Sequence, residues 1–184
     1  MGADETTWAA SSASPCAAPS GSSAVLVFGM SRSGTSLATS LVAAMLGGGD
    51  ASWRGPNGAA YPTDGRNRLG YFERRDVVAL NYEVLRGLSG SWTRFPMGFA
   101  ARPVALNFSA ANGQKRVTFE RNARAIVADM ASRGAPFVLK DVRLARTLPL
   151  WEPLLRARSL NLACILPFRH PFEVERSSIS GGDR

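Results

Sequence analysis

A chain of 184 residues has room for one domain with a real core and not for two. Apolar residues make up 45% and charged residues 20%, so the bulk of it is expected to fold as a globular unit. The single histidine, His170, and two distant cysteines, Cys16 and Cys164, are too few for a Cys/His zinc site or a disulfide framework. The net charge of +8 rests on arginine, with Lys115 and Lys140 as the only lysines. Abundant Ala and Gly beside Arg fit a compositional bias, whereas a basic cleft would concentrate an anionic ligand. Both readings stay open. No Lys/Arg run with interleaved aromatics occurs, so nucleic acid is not expected as a partner.

Residues 1–23 are rich in Ala, Ser and Pro without apolar periodicity, and read as a disordered lead to a domain over 24–184. Asp4 and Glu5 stand where a secretory signal would place basic residues. No apolar run has the length of a membrane span, and a cytoplasmic location is favoured. The Asn107-Phe108-Ser109 sequon is read as chance.

Ala24–Phe28 is a continuous apolar run, the mark of a strand covered on both faces. It breaks at Gly29 into a Gly/Ser turn. Leu37, Leu41, Val42 and Met45 then recur at helical spacing until Gly47-Gly48-Gly49 ends the helix. The stretch from Gly47 to Gly70 has no periodicity and is long for a loop within a domain, which suggests a functional role. Asp76 is placed to cap a helix carrying Val77, Leu80, Val84 and Leu85 on one face. Phe119, Ala123, Ile126, Val127 and Met130 mark a third helix, ended by Gly134, whose other face bears Lys115, Arg116, Arg121 and Arg124. Pro136–Leu139 and Leu160–Phe168 read as further buried strands, and a last helix is expected from Pro171. Strands alternating with helices imply an α/β fold, a three-layer α/β/α with a central parallel sheet and ligands at the carboxyl ends of its strands.

The turn after the first strand reads Gly29-Met30-Ser31-Arg32-Ser33-Gly34-Thr35-Ser36. Glycines at its first and sixth positions match a phosphate-binding P-loop, whose backbone N–H groups converge on an anion at a helix N-terminus. Thr35 stands where a nucleotide triphosphatase needs lysine, and the positive charge lies inside the loop at Arg32. Arg-Ser-Gly-Thr-Ser after a buried strand resembles the 5′-phosphosulfate loop of sulfotransferases, in particular the bacterial-type and glycan branches. The donor of that family, 3′-phosphoadenosine 5′-phosphosulfate, requires a second anion site. Arg169-His170-Pro171-Phe172-Glu173-Val174-Glu175-Arg176-Ser177 is similar to the family's 3′-phosphate signature, an Arg at a strand end with a Ser eight residues on. Gly70-Tyr71-Phe72-Glu73 and Leu139-Lys140-Asp141-Val142-Arg143-Leu144 also resemble family segments, with Val142 where proline is usual.

The resemblance implies sulfuryl transfer to a hydroxyl acceptor on a sugar, lipid, peptide or small metabolite. Gly29, Ser31, Arg32, Ser33, Gly34, Thr35, Ser36, Arg169 and Ser177 would hold the donor, with no metal called for. Arg32 would stabilise the leaving group, and Lys140 would touch the sulfuryl oxygens. His170 lies within the 3′-phosphate motif, which leaves a carboxylate as base: Glu73 first, Asp141 second. Family domains usually run on past the serine, so the resemblance also implies a domain incomplete at its carboxyl end. Two other readings stand beside this one. A P-loop kinase or triphosphatase would place Ser36 on magnesium and use Asp141 as its acid. A non-catalytic module would hold a nucleotide without chemistry.

Overall fold

Every residue of the first strand, β1 (Ser23–Val27), is buried, as its unbroken apolar run demands. The computed structural model describes residues 23–47, 53–55, 60–63, 67, 69–89, 113–134 and 136–180. The expected lead over 1–23 lies outside these residues except for Ser23, which is buried in β1 and so belongs to the sheet; most of the 47–70 stretch and the Asn107 sequon also lie outside. After β1 come α1 (Thr35–Met45), α2 (Arg75–Ser89), α3 (Gly113–Ser132), β2 (Phe137–Lys140), α4 (Leu144–Arg156), β3 (Asn161–Ile165) and α5 (Pro171–Ser180). The fold is α/β. Its three strands form a parallel sheet in the order β2-β1-β3, so the first strand is central.

Side chains alternate across the strands, and the two faces feed two cores. Ala24, Leu26, Phe137 and Leu139 point to a cluster built with α2, α3 and α4, where Phe119 and Trp151 meet edge-on at 5.6 Å. Val25, Val27 and Val138 point the other way, onto Ala43 of α1 and the Trp53 ring. Helices thus cover both faces, an arrangement compatible with α/β/α layering.

Three expectations are corrected. The α1 helix forms where its periodicity places it, but of its four marker residues only Val42 packs inward, beside Ala38 and Leu46. Leu37, Leu41 and Met45 are 65%, 56% and 85% exposed, while Thr35, Thr39 and Ala43 are buried. Small side chains let the helix approach the sheet closely, and the Thr39 hydroxyl donates to the Thr35 carbonyl at 2.8 Å, so its polarity is satisfied within the helix. Second, β3 is shorter than expected and none of its residues is fully buried. It is an edge strand, with no partner on its outer side among the described residues. Third, Asp76 lies within the first turn of α2 and not ahead of it. Its carboxylate accepts from the Val77 amide at 2.8 Å and from the Arg74 guanidinium at 2.7 and 3.0 Å.

The helix α4 was not expected, because Pro149 and Pro153 stand inside it. Each proline removes one bond to the carbonyl four residues earlier. Ala145, Pro149 and Pro153 all lie on the exposed face, where water meets those carbonyls, while Leu144, Thr147, Trp151, Leu154 and Leu155 bury the other. Burial of one such large apolar side chain contributes about 1.5–3 kcal/mol. Packing outweighs the two lost bonds.

Candidate functional site

Parallel pairing brings the carboxyl ends of all three strands to one edge of the sheet. Two backbone bonds fix their alignment there: Asp141 N donates to Val27 O at 3.3 Å, and Phe28 N to Ile165 O at 3.2 Å. The β1–α1 turn, the turn after β2 and the segment leading to α5 therefore share one rim.

In the β1–α1 turn, Gly29, Arg32 and Gly34 adopt positive φ of 152°, 66° and 97°. A Cβ at Gly29 would come within 3.2 Å of the Pro167 carbonyl, so the turn can lie against the β3 exit only with glycine there. Ser33 closes the turn from inside, its amide and hydroxyl both donating to Met30 O, at 3.3 and 2.7 Å. Gly34 caps α1 with no side-chain bond, and the buried Thr35 opens the helix. Ser31 sits half-buried in the turn.

The Arg32 side chain reaches across to α5. Its Nε donates to Ser177 Oγ at 3.0 Å and its Nη2 to Ser177 O at 3.1 Å. Arg169 returns the contact, with Nη1 3.4 Å from Arg32 O and Nε paired to Glu173 at 3.0 Å. Two segments 137 to 145 residues apart are thus clasped together. His170 holds the start of α5, its ring Nδ1 accepting from Phe172 N at 3.4 Å and its carbonyl from Glu173 N at 2.9 Å.

Beside the other end of the turn lies a buried polar cluster. The Ser36 hydroxyl donates to Tyr71 O at 3.4 Å and accepts from Asn67 Nδ2 at 3.1 Å. The same Tyr71 carbonyl accepts from Lys140 Nζ at 2.8 Å, and Lys140 Nζ also meets Glu73 Oε1 at 2.5 Å. Glu73 is 4% exposed, just ahead of α2, and Lys140 is 3% exposed at the end of β2. Burial pushes the Glu73 carboxyl above its ordinary value. Lys140 opposes that rise, Asp141 adds to it, and Arg143, 3.8 Å from Glu73 Oε2, also opposes it.

Asp141 is fully buried and both its oxygens are engaged. Oδ1 accepts from Arg143 N at 2.9 Å and Arg143 Nη1 at 2.7 Å, and Oδ2 from Asn81 Nδ2 at 2.8 Å. Asn81 Oδ1 in turn accepts from the Trp151 indole at 2.8 Å, and the Arg143 guanidinium lies 3.9 Å over the Tyr82 ring. Burial works against the charge on Arg143, but Asp141 and its other partners outweigh it and hold the pKa above the ordinary arginine value.

The candidate residues therefore fall into two adjoining groups joined by the turn: Arg32, Arg169 and Ser177 on the rim, and Ser36, Glu73, Lys140 and Asp141 beneath it, with Gly29, Ser31, Ser33, Gly34 and Thr35 forming the turn and the start of α1. Sequence reasoning missed Asn81 and Arg143 as members of the second group. A lone asparagine among Val77, Leu80 and Val84 on a buried helix face was the available signal for Asn81. Among the described residues no group of three or more His, Cys, Asp or Glu side chains is arranged to hold a metal ion. No described helix is long and apolar enough to cross a membrane. Comparison with protein-family models, curated proteins and solved structures gives no match for this chain.

Proposed function

We propose that this chain binds 3′-phosphoadenosine 5′-phosphosulfate along the rim and moves its sulfuryl group to a hydroxyl acceptor. The observation that carries the reading is the clasp of Arg32 to Ser177, with Arg169 Nη1 against the Arg32 carbonyl. Two motifs that resemble the two anion sites of one family, far apart in sequence, adjoin at the carboxyl ends of parallel strands. The donor set suits a ligand with two separated anions. The α1 first turn, uncapped by a side chain, and Arg32 serve the 5′ end; Arg169 and Ser177 serve the 3′-phosphate.

The bound donor supplies an activated sulfur–oxygen bond. This chain's own residues then have three tasks. Arg32 and the α1 amides neutralise charge on the departing phosphate oxygen as that bond breaks. Lys140, at the Glu73 side of the turn, faces the transferred oxygens. Glu73 takes the acceptor's hydroxyl proton as the new oxygen–sulfur bond forms, leaving a sulfate ester and 3′,5′-bisphosphoadenosine. Its raised pKa makes it a stronger base than an exposed glutamate. Asp141, with both oxygens engaged by Arg143 and Asn81, supports the site from behind.

A thermal-shift series tests the reading. 3′,5′-Bisphosphoadenosine without metal is expected to stabilise the chain more than AMP or ATP with magnesium, by about 2.7 kcal/mol at 100 times its Kd. Equal stabilisation by AMP would remove the 3′-phosphate site. A response to ATP with magnesium alone would favour a kinase-type reading, and no response to any adenosine ligand would remove nucleotide binding altogether. Arg32→Ala should lose transfer and keep its fold, while Arg32→Lys retains part of the rate, having the charge without the planar fork.

A further inference from the structure

The cluster beneath the rim holds more charge than a base and its partner require. Glu73 faces two cations from the β2 exit, Lys140 Nζ at 2.5 Å and Arg143 Nη1 at 3.8 Å. Lys140 is committed by short bonds to Glu73 Oε1 and Tyr71 O. Arg143 is too far for a hydrogen bond to Glu73 but well within Coulombic reach. Arg143 is itself held by a chain of contacts that touches none of the rim. The Trp151 indole orients Asn81, Asn81 Nδ2 holds Asp141 Oδ2, and Asp141 Oδ1 pulls the Arg143 guanidinium to 2.7 Å. The Tyr82 ring closes the guanidinium from its flat side. Every polar link in this chain is buried, on α2, α4 and the turn between β2 and α4.

Four fixed groups to hold one arginine is more than packing asks for. A well-packed apolar cluster would stabilise that place at least as well as a buried ion pair. The geometry has a second consequence: Arg143 Nη1 is bound to Asp141 Oδ1 at 2.7 Å while Glu73 Oε2 lies 3.8 Å from the same nitrogen, so beside the close Lys140 pair Glu73 feels a second, more distant cation whose place Asp141 holds.

We propose that Arg143, held in place by Asp141 and braced by Tyr82, is a positioning residue that sets how readily Glu73 takes up a proton. The proposal deepens the transfer reading, on which the role of Glu73 as base rests. Among the described residues the titratable and charged groups facing Glu73 are Lys140, Asp141 and Arg143; burial is the main cause of its raised pKa, Lys140 and Arg143 lower it and Asp141 raises it further.

The test exploits the opposite signs. The protonated carboxyl band of Glu73 is followed by infrared spectroscopy against pH in the full chain, assigned by its absence in Glu73→Gln. Asp141→Asn removes the negative charge and releases Arg143 toward Glu73, and is expected to move the midpoint down by about one pH unit. Arg143→Gln removes the restraining cation and is expected to move it up by about the same amount, with Arg143→Lys returning most of the shift. General loosening of the core would push both variants the same way. Shifts in one direction, no shift in either, or loss of fold in both would overturn the proposal and leave the pair as structure only. The titration needs neither donor nor acceptor, so its outcome is independent of whether 3′,5′-bisphosphoadenosine binds. Where transfer is measurable, the acid limb of the pH–rate profile should move with the band.

Discussion

Glu73 and Lys140 are each other's nearest counter-charge, with side chains 5% and 2% exposed, so a change at one is felt at the other. Lys140→Met alone leaves a buried carboxylate short of its first cation, a loss of about 3–5 kcal/mol. The double variant Glu73→Gln/Lys140→Met should recover much of that loss, which urea unfolding of the three chains will read. Equal loss in single and double variants would show that the ion pair is not coupled. For transfer, Glu73→Gln keeps shape and removes basicity, so turnover should fall roughly 10²–10⁴-fold while 3′,5′-bisphosphoadenosine still binds. Turnover intact in Glu73→Gln would take the base away from this residue. The candidates themselves were legible in the sequence, because Gly29, Arg32, Gly34, Arg169 and Ser177 stand at recognisable spacings. The burial of Glu73 was not. Followed by Arg74, Arg75 and Asp76, it carries no local signal of burial, and its partner Lys140 lies 67 residues away in the sequence.

At the scale of elements, periodicity located helices well and oriented one of them wrongly. Leu37, Leu41 and Met45 form an apolar stripe that stays exposed, and α1 meets the sheet through Thr35, Thr39 and Ala43, with Val42 alone of the expected residues packed beside them. The reason is distance: β1 and β2 already present Val25, Val27 and Val138, so small residues on the helix complete that core. Substitutions should follow the observed face. Leu37→Gln and Leu41→Gln are expected to change unfolding free energy by no more than about 0.5 kcal/mol. Ala43→Leu, which overfills the contact with the sheet, should cost about 1–3 kcal/mol. A large loss from Leu41→Gln with a silent Ala43→Leu would mean that the helix is turned the other way. The unforeseen α4 has a different cause. Its two prolines argue against a helix locally, and the Trp151 side that compensates for them acts through contacts with Phe119 and Asn81 from other helices. No short window of sequence contains that information.

Taken as a whole, the molecule carries two ionisable features whose effects on stability run in opposite directions with pH. The first is a network that ties three segments together. Buried Arg74 bonds Asp76 and, at 2.9 Å, Asp129 of α3, and Asp129 also pairs with Arg133, which donates to Arg54 O and Gly55 O at 3.3 and 3.1 Å. Partial burial alone would raise the Asp129 pKa, but bonds from Arg133 and Arg74 outweigh it and hold the carboxyl below its ordinary value of 3.8. A depressed folded-state pKa means that the stabilisation is present above the ordinary value and is lost as pH falls through the lower one. The second feature is Glu73, raised above its ordinary value of 4.5. Its share of stability is present below that value and is lost as pH rises through the raised one. The unfolding free energy should therefore decline on the acid side because of Asp129 and carry an opposing slope above 4.5 because of Glu73. Denaturant unfolding across about pH 3 to 8 separates the two, since slope against pH counts protons exchanged on unfolding. Asp129→Asn should flatten the acid limb and leave the upper slope in place. Glu73→Gln should remove the upper slope and leave the acid limb. An acid limb that keeps its full steepness in Asp129→Asn would mean that the α2–α3 network does not hold its carboxylate more tightly than the unfolded chain does.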